Sequence, residues 1–321
     1  MKIDTHNHAM PEEVIELVNS DRVYDVSIQK GRWKGGAHVD FALTDSFSSP
    51  QAKIAELEAN GLEGAVISAM PPLFYYDVTP EAGSTMCRTT NDGLKRFCEH
   101  SPDRFRWMAH VPMQAPEAAV QMLEQAARDG ASGVEVGTSI AGRRLDEPDF
   151  EGFWSAVERH QLPVLIHPAY NEPNHALNSY YFQNVIGNML ETTIALERLI
   201  CAGTLDRHPK ARIVLVHSGG YFPYQAGRLR HARTVRPELS QSPADPWAYI
   251  GQLVFDTITH DALALEYLVK RVGAENVVMG TDLPFDMATV QPMDALTSAV
   301  DKATATRIAE TNPARLYRFG D

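Results

Sequence analysis

Short apolar runs alternate along the chain with longer stretches in which apolar positions recur every three or four residues. The short runs fall at 2–5, 64–70, 105–112, 133–137, 163–167, 211–217, 253–257 and 276–281. The clearest are Gly64-Ala-Val-Ile-Ser-Ala69, Pro163-Val-Leu-Ile-His167 and Ala211-Arg-Ile-Val-Leu-Val-His217. They lack strict apolar–polar alternation, as expected of strands covered on both faces in a parallel sheet. The longer stretches read as helices. Gln51–Asn60 stops at Gly61, a residue suited to the position after a helix, and Pro116–Arg128 opens with proline and ends before Gly130. Residues 149–160, 188–201 and 262–272 follow the same logic, and 303–310 reads as a short helix that Pro313 ends or follows with a second. Eight strands alternating with helices in this length predict an α/β fold, a (β/α)8 TIM barrel, spanning 1–321 as a single domain.

The first connection, about 20–48, is long, rich in Gly and Ser, and shows no clear helix. It is expected to be an insertion after strand 1 that caps the barrel mouth. The stretch 170–190, rich in Asn and Tyr, is a second candidate for a mouth loop. Lys plus Arg number 29 against 41 Asp plus Glu, a net charge of −12, so nucleic acid and anionic membrane surfaces are not expected partners. The polar start of the chain is no signal segment, and no apolar run is long enough to span a bilayer, so a cytoplasmic protein is expected. Cys87, Cys98 and Cys201 are odd in number and form no CxxC, so they read as reduced thiols.

Candidate chemistry lies at the strand ends. His6-Asn7-His8 closes the first strand, where residues two apart point to the same side and two imidazoles can chelate one metal. His167 ends the fifth strand, His217 the sixth and Asp282 the eighth. Together they put four histidines and one aspartate on the rim where barrel active sites lie, which points to a metal site. Asp256 ends the seventh strand, as an orienting partner for the site or as a satisfied strand-end carboxylate. Phe74, Tyr75 and Tyr76 follow strand 2, where a mouth loop could contact an aromatic substrate, and His110 ends strand 3.

With these residues the chain resembles the amidohydrolase superfamily, and within it the branch of aminocarboxymuconate semialdehyde decarboxylase. Further segments carrying the likeness are His110-Val-Pro-Met-Gln-Ala-Pro116, Gly133-Val-Glu-Val-Gly-Thr138, Glu191-Thr-Thr-Ile-Ala195, His217-Ser-Gly-Gly-Tyr-Phe-Pro223, Gly227-Arg228, Arg236-Pro237 and Gly280-Thr-Asp-Leu-Pro-Phe285. The resemblance implies one divalent metal, most often Zn2+, on His6, His8, His167 and Asp282. It implies His217 as the residue acting on metal-bound water, with Asp282 also catalytic, and Arg228 and Arg236 as holders of the substrate carboxylate. It also implies a homodimer in which Arg236 approaches the neighbouring active site. The reaction implied is non-oxidative decarboxylation of a small aromatic or muconate-type acid. Hydrolysis or hydration of a carbon–carbon bond or lactone is the alternative on the same constellation. Two departures stand out. Phe41 falls where the family has a substrate-binding arginine, the neighbouring family arginine falls at Thr44, and Arg32 and Lys34 precede the segment as substitutes. Glu135, on strand 4, stands where binuclear relatives carry a bridging ligand, and so is a possible second-metal ligand.

Overall fold

A computed structural model describes residues 1–35, 39–169, 175–239 and 245–320. Seven of the eight expected strands form one parallel sheet: Ile3–Ala9, Gly64–Ala69, Phe105–His110, Gly133–Gly137, Val164–His167, Ile213–Leu215 and Leu253–Phe255, neighbours in that order. The eighth, 276–281, is not a regular strand. Its backbone nevertheless closes the ring. Val277 bridges Phe255 and Leu283 bridges Asn7. The Thr5 N–H donates to Met279 O (2.9 Å) and the Asp282 N–H to His6 O (2.8 Å). A regular ladder is lost here because the buried Asp4 carboxylate takes the Thr281 N–H (3.0 Å) and hydroxyl (2.5 Å) instead. The whole is a (β/α)8 barrel.

Alternation within the barrel strands divides two cores. Val134, Val136, Val164, Ile166, Ile213 and Leu215 face outward into the layer between sheet and helices. Leu165, Val214 and Val254 belong to a second cluster, with Ile3, Val66, Met108 and the C-terminal Tyr317 and Phe319. Each fully buried aliphatic or aromatic side chain contributes about 1.5–3 kcal/mol. The helices of the outer layer begin on chemistry visible in the chain. Pro50–Ala59 and Pro80–Glu99 open with proline behind Ser49 and Thr79, whose hydroxyls accept from the Ala52 and Ala82 amides.

Several helices exceed the sequence reading, Phe222–Val235 and Pro292–Ala299 among them. Glu12–Ser20 buries Val14 and Val18 at four-residue spacing, just ahead of the connection expected at about 20–48. Pro80–Glu99, twenty residues long, contains Gly83 and Gly93, which disguise it. A Cβ on Gly93 would meet Pro11 at 2.5 Å and one on Gly83 the Gln114 side chain at 1.9 Å, so close packing sets those glycines. Elsewhere the bounds shift slightly. Glu151–His160 follows a 3-10 turn at Pro148–Phe150, and the C-terminal helix is split into Lys302–Thr306 and Asn312–Tyr317, with Pro313 in the first turn of the second.

The 20–48 segment is not irregular. Val26–Gln29, Arg32–Gly35 and Val39–Ala42 form a three-stranded antiparallel sheet, whose Trp33 joins Tyr24, Phe47, Val14 and Leu73 in a third cluster. The 170–190 stretch lies partly outside the described residues; its later part forms a short 3-10 turn at His175–Leu177 and a π-helical segment, Gln183–Asn188, that runs into the helix Met189–Cys201.

After His217 the chain turns through Gly219 and Gly220, both at positive φ. A Cβ on Gly220 would lie 2.2 Å from the Met189 carbonyl oxygen, whereas one on Gly227, inside Phe222–Val235, meets nothing within 4 Å. Gly220→Ala is therefore expected to destabilise the protein by at least about 1–3 kcal/mol. Gly227→Ala should be neutral or stabilising, by up to about 1 kcal/mol. Thermal unfolding of the two variants side by side checks the contrast.

Candidate active site

Four side chains from distant parts of the chain converge on the barrel rim. One ligand atom each from His6, His8, His167 and Asp282 lies within 4.8 Å of the others, and all four residues are buried. Backbone acceptors and one carboxylate orient the rings. His6 Nδ1 donates to Asp256 Oδ2 (2.8 Å), His8 Nδ1 to Ala69 O (2.9 Å) and His167 Nδ1 to Pro168 O (2.9 Å). Each Nδ1 therefore carries a proton, and once its ring is neutral each Nε2 turns a lone pair inward. His6 Nε2 and His8 Nε2 face each other at 3.1 Å, His167 Nε2 has no partner, and Asp282 Oδ1 accepts no hydrogen bond. Unpaired buried polar atoms cost about 1–3 kcal/mol each. Three imidazole nitrogens and a carboxylate turned on one another fit a divalent cation, and the set is a divalent metal site.

The charges agree. Burial opposes a charge on His6, but Asp282 and the bond to Asp256 outweigh it and raise its pKa to about 9. Burial, helped by the neighbouring rings, holds His167 well below the usual imidazole range, and burial lowers His8 as well. Burial works against ionised Asp282, yet His6 and His217 keep its carboxyl well below the ordinary range.

Asp256 ties this cluster to His217. Its carboxylate accepts the ring N–H of His6 and the backbone N–H groups of His217 (2.8 Å), Ser218 (2.7 Å) and Ile258 (3.1 Å). His217 and Ser218 sit at φ 50° and 58°, a left-handed conformation that non-glycine residues adopt only when held. The grip of Asp256 on both amides holds it. His217 Nε2 thereby comes within 3.5 Å of Asp282 Oδ2, and its Nδ1 has no partner.

The other candidates divide. Glu135 points inward, in register with Leu165 and His110, and is buried, but it lies outside the group of four close ligands. Burial pushes its carboxyl well above the ordinary range, against the pull of His6 and Ser68. His110 is fully buried, and burial alone takes it down to about 3, so its ring is neutral. Phe74 is buried in the outer core, stacked on Tyr76 at 5.4 Å and 5.7 Å from the His110 ring. Arg228 and Arg236 are exposed on and after Phe222–Val235, and Arg236 pairs with Glu238 (2.5 Å). Arg32 and Lys34 both pair with Asp40 on the cap surface.

Three contributors escaped the sequence reading. Lys53, buried in the helix Pro50–Ala59, donates to His8 O (3.1 Å) and Glu56 Oε2 (3.0 Å), fixing the end of the ligand strand. Its only signal is its place four residues before Leu57, in the helix's buried stripe. Asp4, two residues before the first ligand, also takes the His6 N–H (3.1 Å). Phe285, three residues after Asp282, packs on the His8 ring at 5.3 Å.

The amidohydrolase family model matches residues 3–319, and the chain belongs to that family. It is 29% identical to 2-amino-3-carboxymuconate-6-semialdehyde decarboxylase of Dictyostelium discoideum, over 96% of this chain and 88% of that one. It is 26% identical to gamma-resorcylate decarboxylase of Rhizobium radiobacter, over 82% and 85%. These relatives belong to the decarboxylase branch that the sequence resembles. Among solved structures, IDCase of Metarhizium anisopliae superposes with a TM-score of 0.90 at 23% identity, covering 100% of this chain and 98% of that one. A dihydroxybenzoic acid decarboxylase of Polaromonas, solved with manganese bound, superposes at 0.79 and 20% identity, over 100% and 97%.

Two outcomes follow from the geometry. Asp256→Asn, which weakens the orientation of His6, should lower metal affinity about 10- to 100-fold, read by competition with a chelator. His6 is raised from 6.5 to about 9, so its cationic form stabilises the metal-free fold fully below pH 6.5, and that stability is lost as pH rises through about 9. Metal must displace this proton. Affinity should therefore rise with pH up to about 9, with about one proton released per ion in titrations repeated in buffers of different ionisation enthalpy.

Proposed function

We propose that the protein is a metal-dependent, non-oxidative decarboxylase of a small aromatic or muconate-type carboxylic acid, acting in the cytoplasm with Zn2+ as the preferred ion. The observation that carries this reading is His217. It is a histidine outside the four-ligand set, fixed by Asp256 in a strained conformation with Nε2 3.5 Å from Asp282. Strain of this kind is kept where a side chain must be aimed. The names of the relatives point the same way.

The divalent ion, when held by His6, His8, His167 and Asp282, supplies Lewis acidity toward the substrate's oxygens and toward water. The protein's own groups do the rest. As the bond to the carboxyl carbon breaks, carbon dioxide departs and its electron pair stays in the conjugated system. His217 Nε2 delivers a proton to that carbon, and the neutral imidazole is restored to its charged form from water. Asp256 holds the His217 backbone so that the ring does not reorient during the transfer. Asp282 Oδ2 faces the ring at 3.5 Å from His217 Nε2, while Oδ1 faces the ligand rings of His6 and His8.

Arg228 and Arg236 hold the substrate carboxylate, with Arg236 reaching the neighbouring active site of a homodimer. Both are exposed, and the neighbouring helix surface exposes Tyr224 and Leu263, at 76% and 75%. Three imidazoles with one carboxylate suit zinc chemically, while the manganese of the Polaromonas enzyme makes that ion the first one to test beside it.

The test combines elemental analysis with a screen of hydroxybenzoates and muconate-type acids for released carbon dioxide. One ion per chain and carbon dioxide release support the reading. Two ions per chain with lactone or carbon–carbon hydrolysis would replace it with a binuclear hydrolase using Glu135. His217→Gln should lower kcat by about 10²–10⁴ while leaving metal content at the wild-type level.

A further inference from the structure

The cap sheet has two chemically opposite faces. Arg32–Gly35 pairs antiparallel with Val39–Ala42, matching Trp33 to Phe41 and Lys34 to Asp40. Alternation along these strands puts Trp33 and Phe41 on one face and Arg32, Lys34 and Asp40 on the other. On the outer face, Arg32 Nε donates to Asp40 Oδ1 (2.8 Å) and Lys34 Nζ lies 3.4 Å from Asp40 Oδ2. These are the lysine and arginine nearest Phe41 in sequence, and both are turned to solvent and already paired.

The inner face is aromatic and reaches the metal site. Trp33 stacks on Phe41, 6.3 Å between ring centres, and Phe41 meets Phe285 edge-on at 5.2 Å. Phe285 in turn meets the ring of the ligand His8 at 5.3 Å. Phe41 and Phe285 are only half-buried, so part of each ring is open, while Trp33 is fully covered. Among the described residues, a wall of π faces and edges thus runs from the cap to a metal ligand; its two half-buried rings, Phe41 and Phe285, carry neither a charge nor a hydrogen-bond donor, and the Trp33 Nε1–H is buried.

We propose that Phe41 is a specificity-determining residue: this wall seats the ring of a substrate bearing one carboxylate, and rejects a substrate whose second carboxylate is directed at the cap. The inference rests on the decarboxylase reading and narrows it to monocarboxylic aromatic acids. An aromatic ring packs well against offset or edge-on rings. A carboxylate placed there would lose its hydration and meet the electron-rich faces of the rings, with no group to pair with it. An arginine at position 41 would reverse both terms by offering a bidentate partner.

The test uses the metal-loaded protein and matched ring compounds. Binding of a hydroxynitrobenzene, with and without an added ring carboxylate, is measured by calorimetry. Carbon dioxide release is measured from the corresponding mono- and dicarboxylic hydroxybenzoates. The wild type should favour the compound without the second carboxylate by about tenfold or more. Phe41→Arg should erase or invert that ratio, and Phe41→Leu should keep it. Equal binding of both compounds by the wild type would overturn the proposal, as would an unchanged ratio in a Phe41→Arg protein that folds and holds its metal. Should the arginine variant not fold, the wild-type ratio decides alone. If neither compound binds and no acid yields carbon dioxide, the decarboxylase reading itself fails, and this inference falls with it.

Discussion

The buried carboxylate of Asp256 is the constraint on which the site depends. An ionised group with almost no exposure is tolerable only when its lone pairs are filled. Here four N–H groups fill them, from His6, His217, Ser218 and Ile258. The first selects the tautomer of a metal ligand. The next two hold a backbone that would relax if released. One anion therefore sets the chemistry of two imidazoles that come from opposite sides of the barrel, and burial, which alone would raise its pKa, is outweighed by the groups it binds.

Around this anion the barrel is uneven in a purposeful way. Its outward residues are apolar and densely packed, and a second cluster including Ile3, Val66 and Val254 closes around Tyr317 and Phe319. Polar atoms without partners gather near the ligand rim, on His167, Asp282, Glu135 and His110. Each weakens the fold slightly, and the apolar layers leave room for that. Part of the loss falls where a bound ion and substrate can recover it, as functional strain does.

Much of this was legible in the chain. A polar residue ending an apolar run is a local signal, and His167, His217 and Asp282 each gave it. What was hidden depended on tertiary packing. Gly83 and Gly93 lower the helical signal of Pro80–Glu99, although they are there to let Gln114 and Pro11 approach. The last strand broke because Asp4, remote in sequence, captured Thr281. Lys53 looks like any helical lysine until His8 O is seen beside its Nζ. The cap sheet carried a readable alternation at Trp33, Lys34 and Gly35, but it is short and glycine-rich, and its aromatic face gains meaning only from contact with Phe285. Arg228 and Arg236, which the resemblance implies as substrate ligands, are exposed on the surface of one chain.

The irregular closure of the ring has a consequence for biosynthesis. The contacts that join its first and last segments, such as Thr281 to Asp4, span 277 residues. The ion's ligands straddle the same seam, with His6 and His8 on one side and Asp282 on the other. A ribosome must release every residue through Asp282 before the coordinating groups can meet, so a chain stopped short of it has no complete cage. Closure of the cage therefore waits on the pairing of segments most remote in sequence, the slowest kind of contact to form.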